Sequence, residues 1–240
     1  MTTTIPLRSR ADHELRAISL DLGVAPHAEG SCMITVGRTR VLCTASVQES
    51  VPEWRKNSGA GWVTAEYAML PRATHTRTSR ERGKVSGRTQ EIQRLIGRAL
   101  RSCIDLPALG ERQILIDCDV IVADGGTRTA SITGAALALH QACEWLVNQG
   151  RVPTNPMREL VAAVSVGVFS GNIRVDLEYQ EDVAADVDMN IVALESGQLV
   201  EVQGTAEHNS FGRDQLDRML DAGLRGIAQL IDLQRVALKP

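Results

Sequence analysis

Ile114-Leu115-Ile116-Asp117-Cys118-Asp119-Val120-Ile121-Val122-Ala123 runs without a break into Asp124-Gly125-Gly126-Thr127-Arg128-Thr129. The first ten residues form a strongly apolar strand, and Asp117 and Asp119, two apart, fall on one of its faces. The two glycines then punctuate the chain, and a long helical pattern follows through Ala135, Leu137, Leu139 and Trp145 to Gly150. At such a junction glycines let the main chain approach a guest closely, and the first amides of the helix lack intrahelical partners. With the helix dipole, the Thr127 hydroxyl and the forked Arg128 cation, a phosphate-sized anion is the natural guest. Gly-Gly-Thr-Arg has neither the lysine and spacing of a P-loop nor the GxGxxG pattern. Taken alone it reads equally as a tight turn with a capped helix.

Working outward, the region before this strand alternates apolar and polar residues. Ser31 to Gly37 and Arg40 to Val47 make a hairpin about Gly37-Arg38-Thr39, and Gly61 to Met69 a further strand. Pro71 to Gly87 has no periodicity and predicts a mobile loop. From Thr89 a helix begins, with Ile92, Leu95, Ile96, Ala99, Leu100 and Cys103 on one face. Downstream, Arg151-Val152-Pro153-Thr154-Asn155-Pro156 is the best linker. Hairpins over 160–177 and 188–203 follow, and a helix from Arg213 to Ala237 buries Leu216, Met219, Leu220, Leu224, Ile227, Leu230 and Ile231. Sheet followed by helix occurs twice, which predicts an α+β protein of two similar halves, 1–150 and 151–240.

Composition narrows the class. The chain has 240 residues, 43% hydrophobic and 23% charged, which is ordinary for a globular protein and excludes disorder. A chain of this length buries about three quarters of its extended surface, so no disulfide or structural metal is needed. Three Trp, two Tyr and two Phe are too few for nucleic-acid binding on aromatic platforms. The five cysteines are odd in number, scattered and mostly set in apolar runs, which predicts buried reduced thiols. The five histidines are equally scattered and give a zinc site little support. MTTTIPLRSRADHELR has no signal-peptide shape, and no apolar run reaches membrane length. A cytoplasmic protein is expected.

The net charge of −3 conceals opposed blocks. Arg72 to Arg101 holds nine basic and two acidic residues, and Asp176 to Asp188 holds six acidic and none basic. The basic block predicts a polyanionic partner, the acidic one a metal cation or a proton-transfer site, although either also reads as a solvated face. Arg72, Arg77, Arg80, Arg82 and Lys84 suit sequence-independent contacts to a nucleic-acid backbone. Arg88 sits at a second loop-to-helix junction and can reach the same anion as Arg128, or else is a surface arginine. If a loop leads from Asp182 into a strand near Val187, Asp182 and Asp188 converge. Paired carboxylates bind Mg²⁺ or raise one pKa so that it acts as an acid; a solvated acidic turn is the alternative. Asp117 and Asp119 are weaker candidates, read as partners of nearby arginines.

Taken together the chain resembles the ribonuclease PH family of phosphate-dependent exoribonucleases. The matching residues include His27-Ala28-Glu29-Gly30-Ser31, Gly61-Trp62, Thr64-Ala65-Glu66-Tyr67, Met69-Leu70-Pro71-Arg72 and Gly87-Arg88-Thr89. They continue through Glu91 to Ile96, Asp117-Cys118-Asp119-Val120, Ala123 to Ser131, Asp188-Met189-Asn190 and Glu201 to Glu207. The resemblance spans about residues 10 to 230; Val51 to Ala60 and the tail after Gly212 diverge. It implies a duplicated β–α unit assembled as a homohexamer, a trimer of dimers. It also implies that Arg88, Gly126, Thr127 and Arg128 bind inorganic phosphate as co-substrate, and that Asp182 and Asp188 are the catalytic pair and the Mg²⁺ ligands. Arg72, Arg77 and Arg80 then contact RNA near the subunit interface.

The implied reaction is phosphorolytic 3′→5′ removal of nucleotides, as nucleoside diphosphates, from tRNA precursors and other RNA 3′ ends. A phosphodiester is exchanged for a phosphoanhydride of similar energy, so nucleotide addition is the reverse. The rival readings are a catalytically silent RNA-binding ring subunit, disfavoured because the phosphate arginines and the aspartate pair are all present, and a hydrolytic metal-dependent nuclease, which needs no phosphate pocket.

Overall fold

A computed structural model describes residues 8–81, 83, 85–207 and 209–239. Its first sheet has five strands: β1 (Ile18–Leu22), β2 (Gly30–Val36), β3 (Thr39–Gln48), β4 (Trp62–Met69) and β5 (Gln113–Val122), in the order β1-β2-β3-β5-β4. Neighbours are antiparallel except β4 and β5, which are parallel and therefore need a crossover. That crossover contains α1 (Gly87–Ser102) and the single turn α2 (Leu106–Leu109). Ser86 starts α1 two residues earlier than its apolar spacing indicates, because its hydroxyl oxygen accepts the Thr89 amide at 3.2 Å. The apolar face of α1 is buried as its spacing requires, with Ile92, Leu95, Ile96, Ala99 and Leu100 inside.

Helix α3 (Thr127–Asn148) lies between the first sheet, at β2 and β3, and the second, at β6 (Val161–Phe169). A helix covered on both sides cannot be amphipathic, which explains its near-continuous run of Ala, Leu, Ile and small polar residues. Close approach demands small residues as well: a Cβ on Gly30 would lie 2.0 Å from the Ala138 carbonyl oxygen. The flanking motif fastens the same corner, with the Ser31 amide donating to Gln141 Oε1 at 2.9 Å and the Val47 amide to Glu29 Oε2 at 2.7 Å.

The second sheet is antiparallel, ordered β7 (Asn172–Val175), β6, β8 (Val187–Leu194), β9 (Leu199–Ala206). Every residue of β6 is buried, with α3 on one face and α5 (Arg213–Ala237) on the other. Gln234 of α5 ties these layers together, donating to the carbonyls of Thr133 at 2.8 Å and Val161 at 3.1 Å. Met219, Ile227, Leu230 and Ile231 are buried as expected, while Leu216, Leu220 and Leu224 pack at the margin of the core.

The α+β class holds, and three local expectations change. Ile18–Leu22 is a strand of its own, pairing antiparallel with β2. The acidic segment is not a loop at Asp182: Tyr179–Ala184 is a short helix, α4. Asp117 and Asp119 have no ion-pair partner among the described residues; they sit on the outer face of β5 beside Glu66, and burial with those two carboxylates raises the Asp117 pKa. All five cysteines are buried free thiols, and burial pushes Cys32 and Cys103 up to about 12, so neither is a nucleophile. Among the described residues no helix is long and apolar enough to cross a membrane.

Candidate active site

Strand β5 delivers its C-terminal end to the Asp124–Gly126 turn, and α3 begins at Thr127. Gly125 and Gly126 have φ of 76° and 65°, left-handed geometry that glycine adopts without strain. The β2–β3 hairpin anchors this turn. The Asp124 amide donates to Thr39 Oγ1 at 3.0 Å, that hydroxyl donates to the Gly125 carbonyl at 2.7 Å, and Arg38 Nε donates to Asp124 Oδ2 at 2.9 Å. The Thr127 hydroxyl lies 2.8 Å from the Tyr67 hydroxyl of β4. Arg128 is aimed by two elements, donating to Gln203 Oε1 of β9 at 3.1 Å and to Glu91 Oε1 of α1 at 3.5 Å. Gln203 in turn donates to the same Glu91 oxygen at 3.0 Å. The helix that carries Arg88 and the helix that carries Arg128 are thus cross-linked.

The opposite wall is acidic, and its six carboxylates divide by role. Asp176 is buried in an ion pair with Arg16. Glu178 and Glu181 form the capping box that starts α4. Glu181 is also ringed by Arg174, Arg8 and Arg10 at 3.3, 3.5 and 3.7 Å. Asp186 accepts the Ser170 amide at 2.9 Å. Only Asp182, on α4, and Asp188, on β8, turn toward the Arg128 side. The acidic block is therefore mostly a set of structural anchors, and the cation or proton function anticipated for it narrows to these two.

Asp182 and Asp188 lie close enough for each to perturb the other's titration. Burial and the neighbouring Asp182 charge push the Asp188 pKa up to about 6. Burial also raises Asp182, while the Arg128 and Arg88 charges pull it back down. One Asp188 oxygen is buried without a hydrogen-bond partner. An orphaned carboxylate oxygen beside a second carboxylate is a hard-oxygen donor set suited to a divalent cation such as Mg²⁺.

The two walls enclose a cleft of about 460 Å³ lined by Arg88, Gly126, Thr127, Arg128, Asp182 and Asp188 together. A polar lobe of about 440 Å³ continues past Arg128 to Glu91, Gln203, Thr205 and Glu207. Guanidinium groups and a helix N-terminus can hold an oxyanion here, facing a carboxyl pair able to give up a proton. Arg72, Arg77 and Arg80 do not line the cleft; they are exposed, with no ion-pair partner among the described residues, while Thr74, His75, Thr76 and Thr78 of the same segment form its rim. Arg82 and Lys84 lie outside the described residues.

Sequence reasoning missed Tyr67, Glu91 and Gln203, whose cleft partners are 60, 37 and 75 residues away along the chain. It also missed Tyr179 and Val183, exposed cleft residues one helical turn apart. The helical spacing of that pair was their signal, hidden once the segment was read as a loop.

Comparison with known proteins matches this chain to a family. Residues 14–143 match domain 1, and residues 159–226 domain 2, of the 3′ exoribonuclease family. The ribonuclease PH of Mycolicibacterium smegmatis is 59% identical over 232 residues, covering 95% of this chain and 90% of that protein. The ribonuclease PH of Methylobacterium nodulans is 57% identical over 231 residues, covering 95% and 98%. The fold is also that of an Archaeoglobus fulgidus exosome chain solved with RNA bound to the active site, with TM-score 0.80 and 21% identity over 93% of this chain and 90% of that one. The chain belongs to the ribonuclease PH-type 3′ exoribonuclease family.

Proposed function

We infer that the protein is a phosphorolytic 3′→5′ exoribonuclease, a nucleotidyltransferase that uses inorganic phosphate as co-substrate on RNA 3′ ends. The observation that carries the residue roles is the single cleft that joins two guanidinium groups and a helix N-terminus to a carboxyl pair with raised pKa values. Arg88, Gly126, Thr127 and Arg128 hold the attacking phosphate, cancelling its repulsion by the RNA phosphodiester. A phosphate oxygen forms a bond to the terminal phosphorus as the bond to the 3′ oxygen breaks, releasing a nucleoside diphosphate. Asp188, its pKa raised to about 6, can in its protonated form pass a proton to the departing 3′ oxygen, leaving two carboxylates whose mutual repulsion the Arg128 and Arg88 charges offset. Mg²⁺, when bound, would be held by Asp182 and Asp188 and would supply positive charge to the leaving oxygen.

Arg72, Arg77 and Arg80, exposed and without ion-pair partners among the described residues, contact the RNA backbone. tRNA precursors are the proposed substrates and a homohexamer, a trimer of dimers, the proposed assembly. The halves divide at 150/151, a boundary consistent with the stretch between the two matched family domains. The test is an RNA with a short 3′ tail incubated with and without orthophosphate. Nucleoside diphosphates appearing only with phosphate are expected. Monophosphates released without phosphate would identify a hydrolase, and no product under either condition a silent RNA-binding subunit.

A further inference from the structure

Resting on that reading, we propose that Arg16 and Asp176 are positioning residues of the reaction: a buried strut that sets the distance between the phosphate-holding turn and the acid-bearing helix. Neither side chain lines either lobe of the cleft, so neither touches substrate. They lie behind the wall, 7% and 5% exposed.

One arginine engages both sides of the cleft. Its Nη2 donates to Asp176 Oδ1 at 2.6 Å, and its Nε and main-chain amide both donate to Asp176 Oδ2, at 3.0 and 2.8 Å. The remaining arm, Nη1, donates to the Asp124 carbonyl at 2.7 Å. Asp124 opens the glycine turn at the end of β5, and Asp176 opens the run from β7 into α4. The guanidinium also underlies Gly126, where an added Cβ would sit 3.0 Å from Arg16 Nη2.

The two segments touch directly as well. A Cβ on Gly125 would lie 2.4 Å from the Leu177 carbonyl oxygen, so the turn packs main chain to main chain against the entry to α4. Asp176 itself has φ of 60°, left-handed and uncommon for a residue with a side chain. The kink is held from the far side too, by the Asp176 amide on the Ser165 carbonyl at 2.7 Å and the Leu177 amide on Ser165 Oγ at 2.9 Å. Six residues after this fixed point comes Asp182.

Bringing an anionic nucleophile in line with a phosphodiester is intolerant of displacement; a shift of about 1 Å can cost about 100-fold in rate. Packing alone does not call for this ion pair, since buried pairs replaced by apolar residues of similar volume are often no less stable. What an apolar replacement cannot do is bond to Asp124 and Asp176 at once.

The test compares Arg16→Met, Arg16→Lys and Asp176→Asn with the unaltered protein. Asparagine tolerates the left-handed conformation at 176. Each is measured for thermal unfolding, RNA affinity, and kcat and KM for phosphate. The expected result for Arg16→Met is folded protein with RNA affinity within about 2-fold, kcat down about 30- to 100-fold and phosphate KM up about 10-fold, partly recovered in Arg16→Lys. A folded variant with unaltered kcat and phosphate KM overturns the strut, as does a loss of rate that only tracks the folded fraction while KM stays constant. If Arg16→Met does not fold, Arg16→Lys and Asp176→Asn are judged by the same criteria. The unaltered protein separates this inference from the one beneath it: if it releases no diphosphates from RNA and phosphate, the function itself fails, whereas phosphorolysis with a silent Arg16 variant sinks only the strut.

Discussion

At the scale of single residues, the arginine wall and the acid wall should fail differently. Arg88→Ala or Arg128→Ala removes a cation from the oxyanion position, so phosphate KM should rise about 10- to 100-fold, the loss of one charge-assisted contact, with RNA affinity nearly unaltered. Equal losses for phosphate and RNA would place the phosphate elsewhere. Asp188 makes a second, less intuitive prediction. Its folded pKa of about 6 lies above the ordinary 3.8. The native state therefore binds this proton more tightly than the unfolded chain does. The stability it contributes is complete below the unfolded value and is lost as pH rises through about 6. Asp188→Asn should abolish turnover yet raise stability at pH 8 by about 1–3 kcal/mol in metal-free protein, with a smaller gain at pH 5. Urea unfolding at both pH values in chelator checks it, and a gain that does not grow with pH would contradict the raised Asp188 pKa.

At the scale of elements, what could be read in advance was whatever periodicity writes down. Strands 113–122 and 62–69 and helices 87–102 and 213–237 announce themselves through alternation or helical spacing, and Gly125-Gly126 announces its turn. Helix α4 offers only the one-turn spacing of Tyr179 and Val183, and its stability comes from a capping box, from Arg174 seven residues before Glu181, and from Arg8 and Arg10 of the distant N-terminal segment. Asp182 and Asp188 nevertheless come to line one cleft, as expected of their spacing, because the chain order of the carboxylates does not depend on the conformation between them. The Glu91–Gln203–Arg128 triad was not legible, since nothing local to Glu91 states which strand will come to lie opposite it. Gln234 is a similar case, a buried amide inside an amphipathic helix whose partners are carbonyls 101 and 73 residues away. Gln234→Ala leaves the Thr133 and Val161 carbonyls without this donor. It should cost about 2–4 kcal/mol from the orphaned acceptors and the cavity, read as a fall in the urea midpoint. A change under about 0.5 kcal/mol would mean water replaces the amide.

At the scale of the whole molecule, the candidate cleft belongs to neither sheet alone. Its anion-facing turn hangs from the first and its carboxyl pair from the second, and the chain before residue 17 stitches the two through Arg8, Arg10 and Arg16. The longest internal helix sits between those sheets and exposes almost nothing. Removing either sheet would strip one flank of that helix and leave a broad greasy surface facing solvent. Calorimetry should accordingly give one melting endotherm with matching calorimetric and van't Hoff enthalpies, and polypeptides 1–150 and 151–240 expressed separately should aggregate or stay molten. Two resolved endotherms would refute that coupling. Nor could such a protein loosen one half to let product escape while the other stays rigid; opening must come from rim segments such as 74–78, and release of the shortened strand becomes a matter of loop kinetics.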